Sequence, residues 1–264
     1  MDINTAEKSN PIHVNILWTG GLDSSYRMVE LSRLDVTIQP YYMSDNRRSE
    51  KLELKAMKEI RQDIERHPET KCRVLPLKII KVTDIEPDAE ITAAYKRLAK
   101  IFGIGSQYDF LARFSKEVEG LELCFEKAEN NNTFNVFHNN AVVKQQHNGP
   151  VSYVELDEEK TSADLFTVFS RFRFPLPLYE MTKLDEVEVF KKLGFADSVA
   201  KTWFCHKPMF GKPCGMCHPC QGVVSEGMSY RLPTVSMFRY RLEMKYGKKS
   251  WFRKLKELDR RING

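Results

Sequence analysis

Seven consecutive residues, Thr19-Gly20-Gly21-Leu22-Asp23-Ser24-Ser25, follow an apolar run of strand length and precede a helical pattern. Two adjacent glycines let a backbone turn sharply and come close to a ligand. Ser24, Ser25 and the unbonded amides of a helix start supply donors. Together these meet the needs of a phosphate group. A Walker loop needs Gly, four residues, Gly, Lys and then Ser or Thr, and no such string occurs in the 264 residues. The plainer reading is an ordinary strand-to-helix turn in which the glycines serve geometry and Asp23 caps the helix.

A second cluster lies near the C-terminus, where Cys205, Cys214, Cys217 and Cys220 are interleaved with Pro213, Gly215 and Pro219. Four thiolates at this spacing suit tetrahedral zinc. With four sulfurs the coordination shell would be full, so the site is expected to be structural. An iron-sulfur cluster uses the same soft ligands and is the competing metal reading. Cys72 and Cys124, each beside a predicted strand, read as core residues.

The elements that must position these groups follow from periodicity. Residues 14–18, 36–43 and 73–82 read as strands, separated by a first helix and by one over residues 49–67. Strand, helix, strand, helix, strand implies a parallel α/β sheet, with a nucleotide at the carboxyl ends of its strands. Helices are predicted over residues 90–101 and 108–119, and a short strand over 121–125. Residues 126–162 read as a small β insertion on the sheet edge, with strands over 133–137, 141–145 and 151–156 and turns at Asn130-Asn131-Asn132 and His147-Asn148-Gly149-Pro150. An ordered loop over the substrate is the alternative. Helices over 182–193, closed by Gly194, and over 196–202 lead into the cysteines.

There is no apolar stretch of about eighteen residues and no signal-peptide core in residues 1–11, so a cytoplasmic protein is expected. That compartment disfavours disulfides, which returns the cysteines to metal. The formal charge of +5 is concentrated in residues 231–261, with eleven Lys or Arg against three Asp or Glu.

The loop resembles the pyrophosphate (PP) loop of the ATP pyrophosphatase superfamily, Ser-Gly-Gly-x-Asp-Ser-Ser/Thr, with Thr19 keeping the hydroxyl of the first Ser. Loop and cysteine spacing together resemble the 7-cyano-7-deazaguanine synthase (QueC) family, as do residues 42–53, residues 174–190 with Thr182-Lys183, and the run ending in Thr202-Trp203-Phe204-Cys205. These matches span most of residues 12–228, with residues 229–264 as a separate basic helical tail.

The resemblance implies a Rossmann-like adenine-nucleotide hydrolase core with a zinc-bound C-terminal helical segment. It also implies a carbon-nitrogen ligase of queuosine biosynthesis: ATP adenylates a carboxylate such as 7-carboxy-7-deazaguanine or a protein-linked acid, pyrophosphate leaves, and ammonia or an amine attacks. ATP would contact Thr19, Gly20, Gly21, Leu22, Asp23, Ser24, Ser25, Tyr42, Met43, Arg47 and Arg48. Asp23 would help hold Mg²⁺, and Lys183 would clamp phosphate. Exposed Lys and Arg are ordinarily solvated surface, which is the rival reading for Arg47 and Arg48. The family's acidic, proline-containing substrate stretch is absent from residues 126–173, and no arginine stands in Gly105-Ser106-Gln107-Tyr108.

Two other function classes remain open. One is a nucleic-acid (tRNA) modifying enzyme, since the tail interleaves Phe238, Tyr240, Tyr246, Trp251 and Phe252 with basic residues. The other is a noncatalytic nucleotide-binding module. The plain reading of the tail is an amphipathic helix that packs Phe252, Leu255 and Leu258 on the core or on a twin subunit of a homodimer.

Overall fold

The computed structural model describes residues 12–127, 132–247 and 249. Two compact units emerge, one from the segments up to Asp45 and from Leu54 to Thr202, the other from residues 46–53 and the segment from Trp203 onward.

The first unit begins with β1 (Ile12–Leu17), α1 (Leu22–Leu31), β2 (Val36–Ser44) and α2 (Glu50–Arg66), whose first turn belongs to the second unit. It continues through β3 (Arg73–Val74), β4 (Lys78–Lys81), α3 (Ala89–Phe102), α4 (Gln107–Phe114), β5 (Leu121–Glu122) and α5 (Asn132–Asn140). The hairpin β6 (Val143–Asn148) and β7 (Val151–Leu156), α6 (Ala163–Phe169), β8 (Phe172–Pro175), α7 (Lys183–Lys192) and α8 (Ala196–Lys201) complete it.

The sheet runs β3-β2-β1-β5-β8-β7-β6, with β4 also on β2. β1 pairs in parallel with β2 and with β5, and β5 in parallel with β8; only the β6–β7 hairpin and its seam on β8 are antiparallel. β2 reads Val-Thr-Ile-Gln-Pro-Tyr-Tyr-Met-Ser and is almost wholly buried, as expected of a strand covered on both faces. The order reverses at β1: its next strand lies on one side, β5 on the other. That reversal opens a crevice at the carboxyl ends of β1 and β5, where α/β sheets bind ligands.

Three sequence expectations need correction. The third strand is split at Leu75-Pro76-Leu77, because proline has no N–H to continue the ladder. The exposed carbonyls are taken up by side chains: Arg61 donates to Val74 and Leu75, and Gln39 to Pro76. Residues 133–137 are helical rather than extended, so the region expected to be a β insertion is a helix followed by a hairpin. Phe134 and Phe137 are buried at i, i+3 spacing, and Phe134 stacks on His138 at 5.5 Å. The helix at 108–119 stops at Phe114. Asn130 and Asn131 lie outside the described residues, as do Trp251, Phe252, Leu255 and Leu258.

The second unit holds the four cysteines, α9 (His218–Ser225) and α10 (Thr234–Tyr246). Among the described residues, no helix is long and apolar enough to cross a membrane.

Candidate active site and cysteine centre

Gly20 takes a left-handed φ of 70°, and Gly21 is the N-cap of α1 without any side-chain cap bond. Asp23 therefore does not cap the helix, and the plain turn reading loses its role for that residue. The loop's hydroxyls hold its shape instead. Ser24 Oγ accepts from the Thr19 amide at 3.3 Å and lies 3.3 Å from Thr19 Oγ1; Ser25 Oγ accepts from Trp18 Nε1 at 3.1 Å. The result is a helix start with its amide donors presented and no protein acceptor capping them from the N-cap side chain, a ready anion cradle.

Asp23, at the second position of α1, faces Lys183, the first residue of α7, which follows β8. Lys183 Nζ donates to Asp23 Oδ1 at 2.5 Å and stands 3.1 Å from Glu126 Oε1. A lysine at a helix N-terminus opposes the helix dipole, so its placement needs carboxylates around it. Thr182 and Asp185 form a capping box that fixes the start of α7 and with it the Lys183 backbone. Glu186, one turn on, is fully buried, and ligand atoms of Asp23, Glu126 and Glu186 lie within 4.8 Å of one another. Oxygen ligands of this kind suit a hard divalent cation.

Burial works against the Asp23 charge, but the Lys183 ammonium and hydrogen bonds with Glu126 and Lys183 outweigh it, holding this carboxyl below its usual range. Glu126 is pushed up to about 8, by burial first and the Asp23 charge second, with Lys183 offsetting only part. Burial would lower Lys183, yet Asp23, Glu126 and Glu186 together raise it above the ordinary lysine value. At neutral pH the site is thus an ionised Asp23, a protonated Glu126 and a charged Lys183. Since Glu126 binds its proton more tightly folded than unfolded, its stabilising contribution is complete below about pH 4.5 and is lost as pH rises through about 8. Glu126→Gln is expected to flatten that stretch of the stability-versus-pH curve measured by denaturant titration.

Beneath the loop, Arg27 and Glu122 are each about 1 % exposed and form a bidentate pair, Nη2–Oε1 at 2.6 Å and Nε–Oε2 at 2.8 Å. Arg27 also bonds Glu30 at 2.8 Å. This pair bolts α1 to β5 across the sheet. Glu122→Leu would leave a buried guanidinium short of its main partner, and a loss of about 3–5 kcal/mol in unfolding free energy is expected.

Among the residues the sequence pointed to, Thr19 to Ser25 and Lys183 come together. Tyr42 and Met43 are buried in β2. Arg47 and Arg48 belong to the second unit, where Arg47 lies 3.9 Å from Glu53 and Arg48 is exposed. Glu126 and Glu186 were missed. Cys72 and Cys124 are half-buried; burial lifts the Cys72 thiol to about 11 and Cys124 well above its ordinary value, so neither is a ready nucleophile.

In the second unit the sulfurs of Cys205, Cys214, Cys217 and Cys220 converge. Sγ–Sγ distances are 3.9 Å for Cys214–Cys220, 3.8 Å for Cys217–Cys205 and 3.5 Å for Cys217–Cys220. A tetrahedron with zinc-sulfur bonds of about 2.3 Å has edges of about 3.8 Å. The donor set fits. Backbone amides of Cys214, Met216 and Cys217 point at the sulfurs at 3.1–3.3 Å, as thiolate ligands require. Gly215, at φ 80°, turns so close to α10 that a Cβ there would stand 2.0 Å from the Ser236 carbonyl oxygen.

Residues 152–225 match the family described as queuosine biosynthesis protein QueC. Over those residues the chain is similar to that family. The QueC-like stretch contains Lys183, Glu186 and all four cysteines, but does not extend to the loop at residues 19–25. No curated protein matches the sequence. Among solved structures, the crystal structure of a 4-thiouridine synthetase–RNA complex with bound ATP is similar at a TM-score of 0.35 and 14 % identity, over 87 % of this chain. The chain spans about half that protein's length, 52 %.

Proposed function

We propose that this protein is an ATP-dependent ligase that adenylates a carboxylate and releases pyrophosphate. The observation that carries the reading is the pairing of the Thr19–Ser25 cradle with Asp23, Lys183 and Glu126 at the sheet's switch point. Gly20, Gly21, Ser24 and Ser25 would hold the leaving pyrophosphate through amides and hydroxyls. Lys183 would exchange its bond to Asp23 for a phosphate oxygen, which frees Asp23, with Glu186 and with Glu126 once it has given up its proton, to hold Mg²⁺. That ion would neutralise charge between the phosphates. Among the described residues of the site no side chain is set up as a covalent nucleophile, so rate enhancement would come from orientation and charge stabilisation.

The acceptor suggested by the QueC-like stretch is 7-carboxy-7-deazaguanine, with ammonia as nucleophile and an amide or nitrile as product. Incubation with ATP, Mg²⁺, this acid and ammonium, followed by mass spectrometry, tests it. An acceptor-dependent amide or nitrile supports the deazapurine. ATP binding with no pyrophosphate release in response to this acid removes it and leaves another carboxylate, small or protein-linked, to be found.

A further inference from the structure

α10 exposes large apolar side chains beside its cations. Its small polar Ser236 is buried, with its hydroxyl donating to the Pro213 carbonyl at 2.5 Å. The Cys214-Gly215 turn abuts the same residue's carbonyl. The cysteine centre thereby fixes the rotation of the helix. Three apolar side chains face water: Val235 is 56 % exposed, Phe238 61 % and Met244 62 %. At 3.6 residues per turn, Arg241 and Lys245 fall within about 60° of Phe238, and both are exposed. Glu243, the sole acid among the described residues of 229–249, lies about 140° away.

We propose that this face of α10 binds single-stranded nucleic acid, with a base stacked on Phe238 and successive phosphates met by Arg241 and Lys245. The two cations are four residues apart, about 6 Å along the axis, a separation suited to neighbouring phosphates on one strand. Aromatic stacking beside backbone-tracking cations is how single strands are held without sequence preference. Charge selects this occupant over a second copy of the chain. A symmetric dimer through α10 would place Arg241 and Lys245 against their own like, whereas a phosphate backbone complements them. The proposal stands whether or not the adenylation reading does.

The test is fluorescence anisotropy of labelled 20-nucleotide RNA and DNA single strands with the full chain at 50 and 200 mM salt. Binding is expected to weaken with salt. Phe238→Ala is expected to weaken it about tenfold, and the double variant Arg241→Glu/Lys245→Glu more, with a log-log salt slope shallower by about 1.4 for two lost phosphate contacts. Lys55→Glu, on an exposed site of α2, should leave affinity unchanged. All substituted side chains lie at the surface, and retention of the bound metal, read by elemental analysis, confirms that the unit is folded. A preference for RNA over DNA would name the natural strand. Absence of binding at 50 mM salt, or equal affinity of Phe238→Ala and the parent, overturns the proposal, as does a dimer in light scattering that Phe238→Ala dissolves.

Discussion

Pyrophosphate release from ATP is expected to fall by at least about a hundredfold in Asp23→Ala, and similarly in Lys183→Ala, with both variants still folded. The expectation rests on opposite consequences of one 2.5 Å contact. Removing Lys183 leaves Asp23 and Glu126 facing each other without their shared cation, which raises Glu126 further. It also takes away the ammonium proposed to meet a phosphate oxygen. Removing Asp23 relieves Glu126 and lowers Lys183, so the ion pair is lost while the loop is retained. Preorganised charges of this kind are worth roughly a hundredfold to a thousandfold each in rate. Continuous assay of pyrophosphate, alongside ATP affinity by calorimetry, separates lost chemistry from lost binding. A fall below tenfold in both variants would mean that the cluster holds the fold rather than the substrate.

With zinc held by the four thiolates, its removal is expected to be the most damaging change to structure. Zinc bound by four thiolates contributes on the order of 10–16 kcal/mol in small domains that fold around it. Among its described residues from 203 onward the buried apolar side chains besides the cysteines are Val223, Met228 and Leu232, whereas Tyr230, Val235, Phe238 and Met244 are exposed. Cys214→Ser is therefore expected to lose the metal, and limited proteolysis should then cut within residues 203–249, while the parent resists until a strong chelator is added. Cys214 is the telling choice because its sulfur accepts from two backbone amides, Met216 and Cys217, both at 3.3 Å. One equivalent of zinc in a colourless protein is expected; a brown protein with sulfide would point to an iron-sulfur cluster.

Much of this arrangement was legible because it is local. The loop's glycines, the strand before it and the helix after it lie within twenty residues, and the cysteines within sixteen. The capping residue Thr182 and the closing Gly194, at φ 80°, likewise announce α7 from composition alone. The acidic partners were invisible for the converse reason. Glu126 stands about a hundred residues from Asp23, in a segment read as an insertion, and only the return of β5 beside β1 brings it to the crevice. Glu186 looked like any helical acid, although its position three residues after Lys183 put both on one face. Residues 133–137 were misread because Thr, Phe and Val favour strands, while burial of Phe134 and Phe137 on one side decided for a helix.

The outward face of Phe238 agrees with the aromatic side chains interleaved with basic residues in the tail, while the packing expected of Phe252, Leu255 and Leu258 lies outside the described residues. A basic helix is ordinarily a solvated face over a packed apolar one. Here the cysteine turn claims the inward side for Ser236, and Val235, Phe238 and Met244 are left exposed.

The most direct measurement is the identity of the phosphates released from ATP. With Mg²⁺ and an acceptor acid, ³¹P NMR should show AMP and pyrophosphate appearing in equal amounts in the parent protein and neither in Asp23→Ala. ADP and orthophosphate as products, or pyrophosphate release that Asp23→Ala leaves intact, would contradict a pyrophosphate cradle at Thr19–Ser25.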